Sequence, residues 1–208
     1  MRGQRLLAVV AVTLVVLGAG CTRLKRFAYE GFARDRWQHP EQVIDSLRIR
    51  SGDHVADLGA GGGYFTFRLA DAVGPDGKVY AVDVDSGMTS HLERRVSENG
   101  HGNVEVILAK YHDPLLPEKG IDLIFTCNTY HHLEDRVAYF EQAGRSLRPG
   151  GRIAIIENAG RGWFSRLFSH STPSEVIRSE MEAAGYRLER EYDFLPRQHF
   201  LVFAAKAK

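Results

Sequence analysis

Nine residues, DLGAGGGYF at 57 to 65, hold four glycines behind one carboxylate, Asp57. Glycine at this density lets a backbone turn tightly and approach a ligand, because no Cβ stands in the way. A nucleotide phosphate, a dinucleotide and a sulfonium-bearing nucleoside are the ligands to weigh. A phosphate-binding P-loop needs Gly-Lys-Ser/Thr after its glycines; here Tyr64, Phe65 and Thr66 follow Gly63, and no lysine is present. A dinucleotide turn needs G-x-G-x-x-G, which Gly59 and Gly61 satisfy but Tyr64 breaks. The pattern that fits is D-x-G-x-G-x-G, on Asp57, Gly59, Gly61 and Gly63.

Two further stretches carry groups able to do chemistry. VYAVDVD (79 to 85) is an apolar run ending in acid. Asp83 lies twenty residues after Gly63, where a strand-end carboxylate can accept both hydroxyls of a ribose. Asp85 reads instead as a turn or helix-start residue. The stretch FTCNTYHHLED holds Asn128, His131 and His132. Imidazole titrates near neutrality, so His131 is the candidate general base. The plainer alternative has one histidine packing under the next helix and the other capping or lining the site. Adjacent histidines without further placed ligands make no metal centre, so no metal is expected. Asn128 either lines the pocket or ends its strand as a turn residue. Asp57 either meets a cationic ligand group or caps the following helix.

The elements that position these residues alternate. Pro40 at a first-turn position opens a helix with Val43, Ile44 and Leu47 on one face. HVADLG reads as a buried strand and YFTFRLADAV as a helix with Phe65, Leu69 and Val73 inward. After the turn signal GPDGK come the strand VYAVDVD, a helix from about Ser86 to Glu98, and the strands VEVILA and IDLIFTCN. LEDRVAYFEQAGRSL shows helical spacing at Leu133, Val137, Phe140 and Leu147. RPGG turns into RIAIIEN, and Thr172-Pro173-Ser174-Glu175 predicts a capping box with proline at the first helical position. YRLEREYDF and HFLVFAAKA close the chain as two strands antiparallel to each other. Continuous apolar strands alternating with amphipathic helices predict a doubly wound α/β fold: a mostly parallel sheet with helices on both faces. Ligands belong at the carboxyl ends of its strands.

Composition bounds the rest. The 208 residues are 44% hydrophobic and 25% charged, which suits one ordinary globular core. A net charge of +1 gives no support to broad electrostatic binding of nucleic acid. The first twenty residues stand apart: MRGQR is basic, LLAVVAVTLVVL (6 to 17) is apolar, and GAGC follows. The run is shorter than the ~20 residues a membrane span needs and has the proportions of a signal-peptide core. Small residues before Cys21 resemble a bacterial lipobox, although Gly18 replaces the usual leucine. The expectation is a lipoprotein lipidated at Cys21 and held at a membrane, with an uncleaved signal anchor as the alternative. Residues 21–39 then form a basic, aromatic arm before a domain at 40–208. Only Cys127 remains elsewhere, so a modified Cys21 leaves no intramolecular disulfide.

Four stretches, taken in order, resemble the motifs of class I S-adenosylmethionine-dependent methyltransferases over roughly residues 40 to 205: VADLGAGGGYFTFRLA, VYAVDVDSGM, IDLIFTCNTYHHLED and LRPGGRIAIIE. The resemblance implies a seven-stranded sheet with an antiparallel last strand, and S-adenosylmethionine as methyl donor. It implies cofactor contacts from Asp57 to the ammonium, from the turn Gly59, Ala60, Gly61 and Gly63, from Asp83 to the ribose, and from Asn128 along the pocket. Gly59 and Gly61 would give close backbone approach to the ligand, and Gly63 helix packing. One stretch departs from the pattern. Many relatives end the third strand in an acid that reads adenine, whereas LAKYHD places Lys110 there, with Asp113 or backbone near Tyr111 as substitutes.

The same resemblance narrows the acceptor. Asn128-Thr129-Tyr130-His131 lacks the prolines of the Asn-Pro-Pro-Tyr sequence used on adenine and glutamine, and Cys127 alone argues against arsenite. GRGWFSRLFSH (160 to 170) combines aromatics with arginines and suits an acceptor cover or a lipid surface. The function expected is methyl transfer to a small-molecule or lipid-like acceptor. The alternative is a non-catalytic, membrane-tethered cofactor-binding module, because a cleaved lipoprotein faces away from the cytoplasm where the cofactor is made.

Overall fold

The computed structural model describes residues 34–160 and 171–206. The signal-like segment, the arm before Arg34 and most of the 160–170 loop lie outside the described residues. The body from Asp35 onward is one compact unit. It is built on a seven-stranded sheet of order β3-β2-β1-β4-β5-β7-β6. The strands are β1 (His54–Leu58), β2 (Lys78–Asp83), β3 (Val104–Leu108), β4 (Ile121–Cys127), β5 (Leu147–Asn158), β6 (Tyr186–Tyr192) and β7 (Gln198–Ala205). Strands β1 to β5 pair in parallel, while β7 runs antiparallel to both β5 and β6. The expected doubly wound sheet with its antiparallel last strand is therefore present. The order turns back between β1 and β4, which opens a crevice at their carboxyl ends.

Among the described residues six α-helices accompany the sheet: α1 (Arg34–Gln38), α2 (Pro40–Leu47), α3 (Thr66–Val73), α4 (Ser86–Asn99), α5 (Arg136–Ala143) and α6 (Ser174–Ala183). Helix α2 starts at Pro40, where a missing N–H costs nothing. Asp85 caps α4 by accepting from the Gly87 and Met88 N–H groups, and Gly100 ends that helix at φ 71°.

Alternation along each strand separates two cores. On one face Val43, Leu47, Phe65, Leu69, Phe125 and Phe200 pack together. On the other Tyr130, Phe140, Ile155, Met181 and Phe203 do so. Each large side chain removed from water contributes about 1.5–3 kcal/mol, so both faces hold the sheet between its helices. No helix among the described residues is long and apolar enough to cross a membrane.

Two sequence expectations need correction. The predicted helix over 133–147 is only α5, preceded by a 3₁₀ turn at Tyr130–His132 and followed by another at Gly144–Ser146. Asp135 caps α5 from outside, accepting from Ala138 N–H, and Leu147 already belongs to β5. The capping box is also absent as drawn. Pro173, rather than Thr172, occupies the cap position of α6 and makes no side-chain cap bond, while the Glu175 carboxylate bonds Ser174 and its own backbone within the first turn.

Candidate functional site

The glycine turn leaves β1 directly into the crevice. Gly59, Gly61 and Gly63 have φ of 76°, 52° and 84°, values that side-chain-bearing residues avoid. Its backbone donors are used inside the protein. The N–H groups of Gly59 and Ala60 both donate to Val82 O, at 2.8 and 3.0 Å. Gly61 N–H donates to Asp83 Oδ2 at 2.8 Å, and Gly63 N–H to Ala60 O at 2.9 Å. A phosphate cradle works by aiming such donors at the anion; here they close the turn on β2.

The glycines also serve close packing. A Cβ on Gly59 would stand 2.0 Å from Thr129 Oγ1, in the segment after β4. The expectation that a Cβ at Gly59 would strike the ligand is thus corrected: the space it would enter is filled by Thr129. A Cβ on Gly63 would stand 2.6 Å from Leu92 Cδ1 of α4 and 2.8 Å from Phe67 Cε2. Gly63 is a packing position, as expected, but between helices rather than between helix and strand.

Two carboxylates flank the turn. Asp57 is 3% exposed and accepts from the Thr66 hydroxyl at 2.6 Å. Thr66 is the first residue of α3, whose cap residue Phe65 makes no side-chain cap bond, so this carboxylate is tied to the start of that helix through a side chain. Asp83 lies at the end of β2, with Oδ2 on Gly61 N–H and Oδ1 on Asp85 N–H at 3.0 Å. A carboxylate has about four acceptor sites, so Asp83 is oriented by the backbone and retains capacity for a ligand diol. Beside it, at the open end of β2 and β3, Val84 and Leu108 are 40% and 52% exposed. Lys110 lies two residues past the end of β3. Its backbone forms a two-bond bridge with Asp113, whose carboxylate accepts from Leu115 N–H.

On the other side of the crevice, Asn128 ends β4 at φ 57°, a left-handed conformation asparagine tolerates. Its Oδ1 accepts from Gln198 Nε2 at 2.8 Å, and Gln198 Oε1 accepts from Gln38 Nε2 at 3.0 Å. This placement gives Asn128 the turn role weighed from the sequence.

His131 sits in the 3₁₀ turn after Asn128. Its Nδ1 is 2.9 Å from Glu157 Oε1, and its backbone N–H meets Glu157 Oε2 at 3.2 Å. Glu157 is fully buried near the end of β5 and also accepts from Asn158 N–H at 2.7 Å. The His132 ring lies against that of His131, centroids 4.0 Å apart.

The turn is anchored from behind. The buried Tyr130 hydroxyl donates to Glu180 Oε2 at 2.7 Å, and Arg136 grips both Glu180 oxygens at 2.7 Å. Burial works against the Glu180 charge, yet the Arg136 fork and the Tyr130 hydroxyl outweigh it and hold that carboxyl below its ordinary range. Burial, reinforced by Glu180, pushes the Tyr130 hydroxyl well up.

Glu157, Thr129 and the Gln38–Gln198 pair were missed from the sequence. Glu157 had a usable signal: the apolar run RIAII is followed by an acid, as the run VYAV is by Asp83. The glutamines had none, since Gln38 and Gln198 are 160 residues apart.

Residues 55–151 match the family described as "Methyltransferase domain". Among solved structures, a SAM-dependent methyltransferase from Aquifex aeolicus superimposes with a TM-score of 0.75 at 26% identity, over 85% of this chain and 94% of that one. The fold is that of a class I methyltransferase. Family and fold together imply S-adenosylmethionine as the methyl donor. Curated relatives of the methyltransferase domain include an arsenite methyltransferase from Halobacterium salinarum, 30% identical over 68% of this chain and 31% of that protein. A ubiquinone/menaquinone biosynthesis C-methyltransferase from Hahella chejuensis is 29% identical over 55% of this chain and 47% of that protein. The chain thus spans less than half the length of either curated relative.

Proposed function

We propose that this chain transfers a methyl group from S-adenosylmethionine to a small-molecule acceptor. The observation that carries the reading is the glycine turn. Its donors at Gly59, Ala60, Gly61 and Gly63 are satisfied within the protein, and two carboxylates rather than any lysine stand beside it. Such a turn suits a ligand that is cationic and lacks phosphate. Bound there, the cofactor supplies a methyl group already activated by its sulfonium, so the protein's task is alignment of the two reactants. In this reading Asp57 accepts from the ammonium, directly or through water, and Asp83 from the ribose hydroxyls. Gly59, Ala60 and Gly61 form the wall beneath, with Gly63 holding that wall to α4. Val84 and Leu108 offer the adenine an apolar ledge, and Asn128 shapes the far wall through its turn.

The relatives are named for arsenite and for quinone biosynthesis, so their chemistry points to no single acceptor. The lone Cys127 outside the leader speaks against arsenite here. The leader and Cys21 support membrane attachment, by lipidation or by a signal anchor, which would favour an amphiphilic acceptor. A reporter fused to the C-terminus and active on only one side of the membrane tests this; equal activity in soluble and membrane fractions would speak against attachment.

For the enzyme itself, the full chain is incubated with methyl-labelled S-adenosylmethionine and candidate acceptors, and S-adenosylhomocysteine is measured. Acceptor-dependent release is expected. A chain that binds the cofactor yet releases nothing with any acceptor would be the non-catalytic binding module instead.

A further inference from the structure

The sheet has a cavity at each end. The crevice lies at the carboxyl ends of β1 and β4, where a doubly wound fold is expected to bind its ligand. At the amino ends of β1, β4 and β5 lies an open pocket of ≈ 450 Å³, lined by Arg48, Arg50, Asp53, Asp122, Arg152 and Glu189 and by the turn at 149–151. That volume lies in the range of small-molecule sites.

Local irregularities of the fold bring these residues together. Residues 148–151 leave the β4/β5 ladder between the pairs Ile121–Leu147 and Leu123–Arg152, which sets Asp122 at the break. Glu189 sits at a similar break in the β6/β7 ladder, between Leu188 and Arg190. Bulges of this kind re-aim side chains and gather beside functional sites. Arg48 ends α2 at φ 53° and ψ 45°, a left-handed position where glycine or asparagine is usual.

Opposite charges lining one small space ordinarily close onto each other. Here Asp122 alone is neutralised, by Arg148 beside the pocket, and it also accepts from His54 N–H at 2.8 Å. Arg152 donates to Leu47 O at 2.8 Å, and Asp53 accepts from Arg50 N–H at 2.9 Å. Among the described residues, the side chains of Arg48, Arg50 and Glu189 make no hydrogen bond or ion pair. Three guanidiniums therefore share the pocket with two carboxylates that no cation neutralises, Asp53 and Glu189. One positive charge is left in excess.

We propose that this pocket is a ligand site for a small phosphate monoester that also carries an ammonium group. The phosphate, with close to two negative charges at neutral pH, is held by Arg48, Arg50 and Arg152, whose planar forks match its oxygens. Arg152 keeps donors for it, since its bond to Leu47 O leaves other N–H groups of the guanidinium unused. The ammonium meets Glu189 and Asp53. The ligand's single net negative charge then balances the pocket. A plain anion would face two repelling carboxylates and a plain cation three guanidiniums, so only a ligand of both signs uses the whole lining.

Calorimetric titration of the full chain with 3-aminopropyl phosphate and with propyl phosphate, the same ester without the ammonium, tests this. The amino ester should bind at one site, about two- to fivefold more tightly than the plain ester, the scale of a solvent-exposed ion pair. Arg48→Gln and Arg50→Gln should each weaken both esters by about tenfold. Glu189→Gln should act with opposite signs, weakening the amino ester and strengthening the plain one, because the carboxylate that attracts one repels the other. Melting midpoints close to wild type verify that the variants fold.

No binding of either ester, or affinities unmoved by both arginine substitutions, overturns the site. Equal affinity for the two esters, or a Glu189→Gln effect of the same sign on both, overturns the ligand of two charges. Neither probe resembles S-adenosylmethionine, so the outcome is separate from that of the methyltransferase reading.

Discussion

The two sides of the crevice are built by different means. On the β1/β2 side, backbone does the work: glycines at positive φ, N–H groups folded onto Val82 O, and Asp83 aligned by two more N–H groups. On the β4/β5 side, side chains hold one another: His131 to Glu157, Tyr130 and Arg136 to Glu180, Asn128 to Gln198. A backbone-built wall suits a ligand that never changes, because its shape follows from φ and ψ. A wall of interlocked side chains can change its chemistry by single substitutions. On the proposed function, this contrast becomes a division of labour, with a fixed cofactor side and an adaptable acceptor side.

The backbone side should break most severely. Gly59→Ala adds a Cβ 2.0 Å from Thr129 Oγ1 at φ 76°. Overpacking and left-handed strain together predict a loss of about 2–4 kcal/mol, read by urea denaturation. Adding Thr129→Ala should recover part of it but not the conformational share. Full recovery would mean that strain is negligible, and no initial loss would mean that the approach of the two segments is not real.

The side-chain side should break more gently. Glu180→Gln removes a paired carboxylate, and charged hydrogen bonds of this kind are worth about 1.5–3 kcal/mol, discounted toward the low end because the pair is partly exposed. The pH dependence has a definite sign. Glu180 is held below its ordinary value, so its contribution is complete above about pH 4.5 and fades as pH falls through the lower folded value. The variant's stability should therefore converge on wild type in acid; an equal gap at pH 3 and pH 7 would contradict the pairing.

Smaller still is Thr172→Ala. Pro173 rather than Thr172 holds the cap position of α6, so the change removes only the methyl and hydroxyl of a buried side chain and should cost less than about 1 kcal/mol. A loss of 1 kcal/mol or more, typical of a lost cap, would restore the capping box.

The same division explains what could be read in advance. The glycine turn and Asp83 span fewer than thirty residues, and their meaning is local: φ values and an acid at a strand end. The parallel sheet was equally legible, because buried strands are continuous apolar runs. Glu157 stands 26 residues from His131 and Glu180 50 residues from Tyr130, so only the assembled sheet brings them together. The helix at 133–147 was overextended for a related reason. Leu133 and Leu147 keep helical spacing because both pack on the α5-face core, though neither belongs to that helix.

The most direct test of the central claim is a calorimetric titration of the full chain with S-adenosylhomocysteine, repeated with Asp83→Ala and with Asp85→Ala. The account predicts one site in wild type. It predicts affinity at least about tenfold weaker in Asp83→Ala, as expected for a lost charged hydrogen bond. Asp85→Ala should bind almost as wild type, since Asp85 caps α4. No binding by wild type, or equal affinity in wild type and Asp83→Ala, would contradict it.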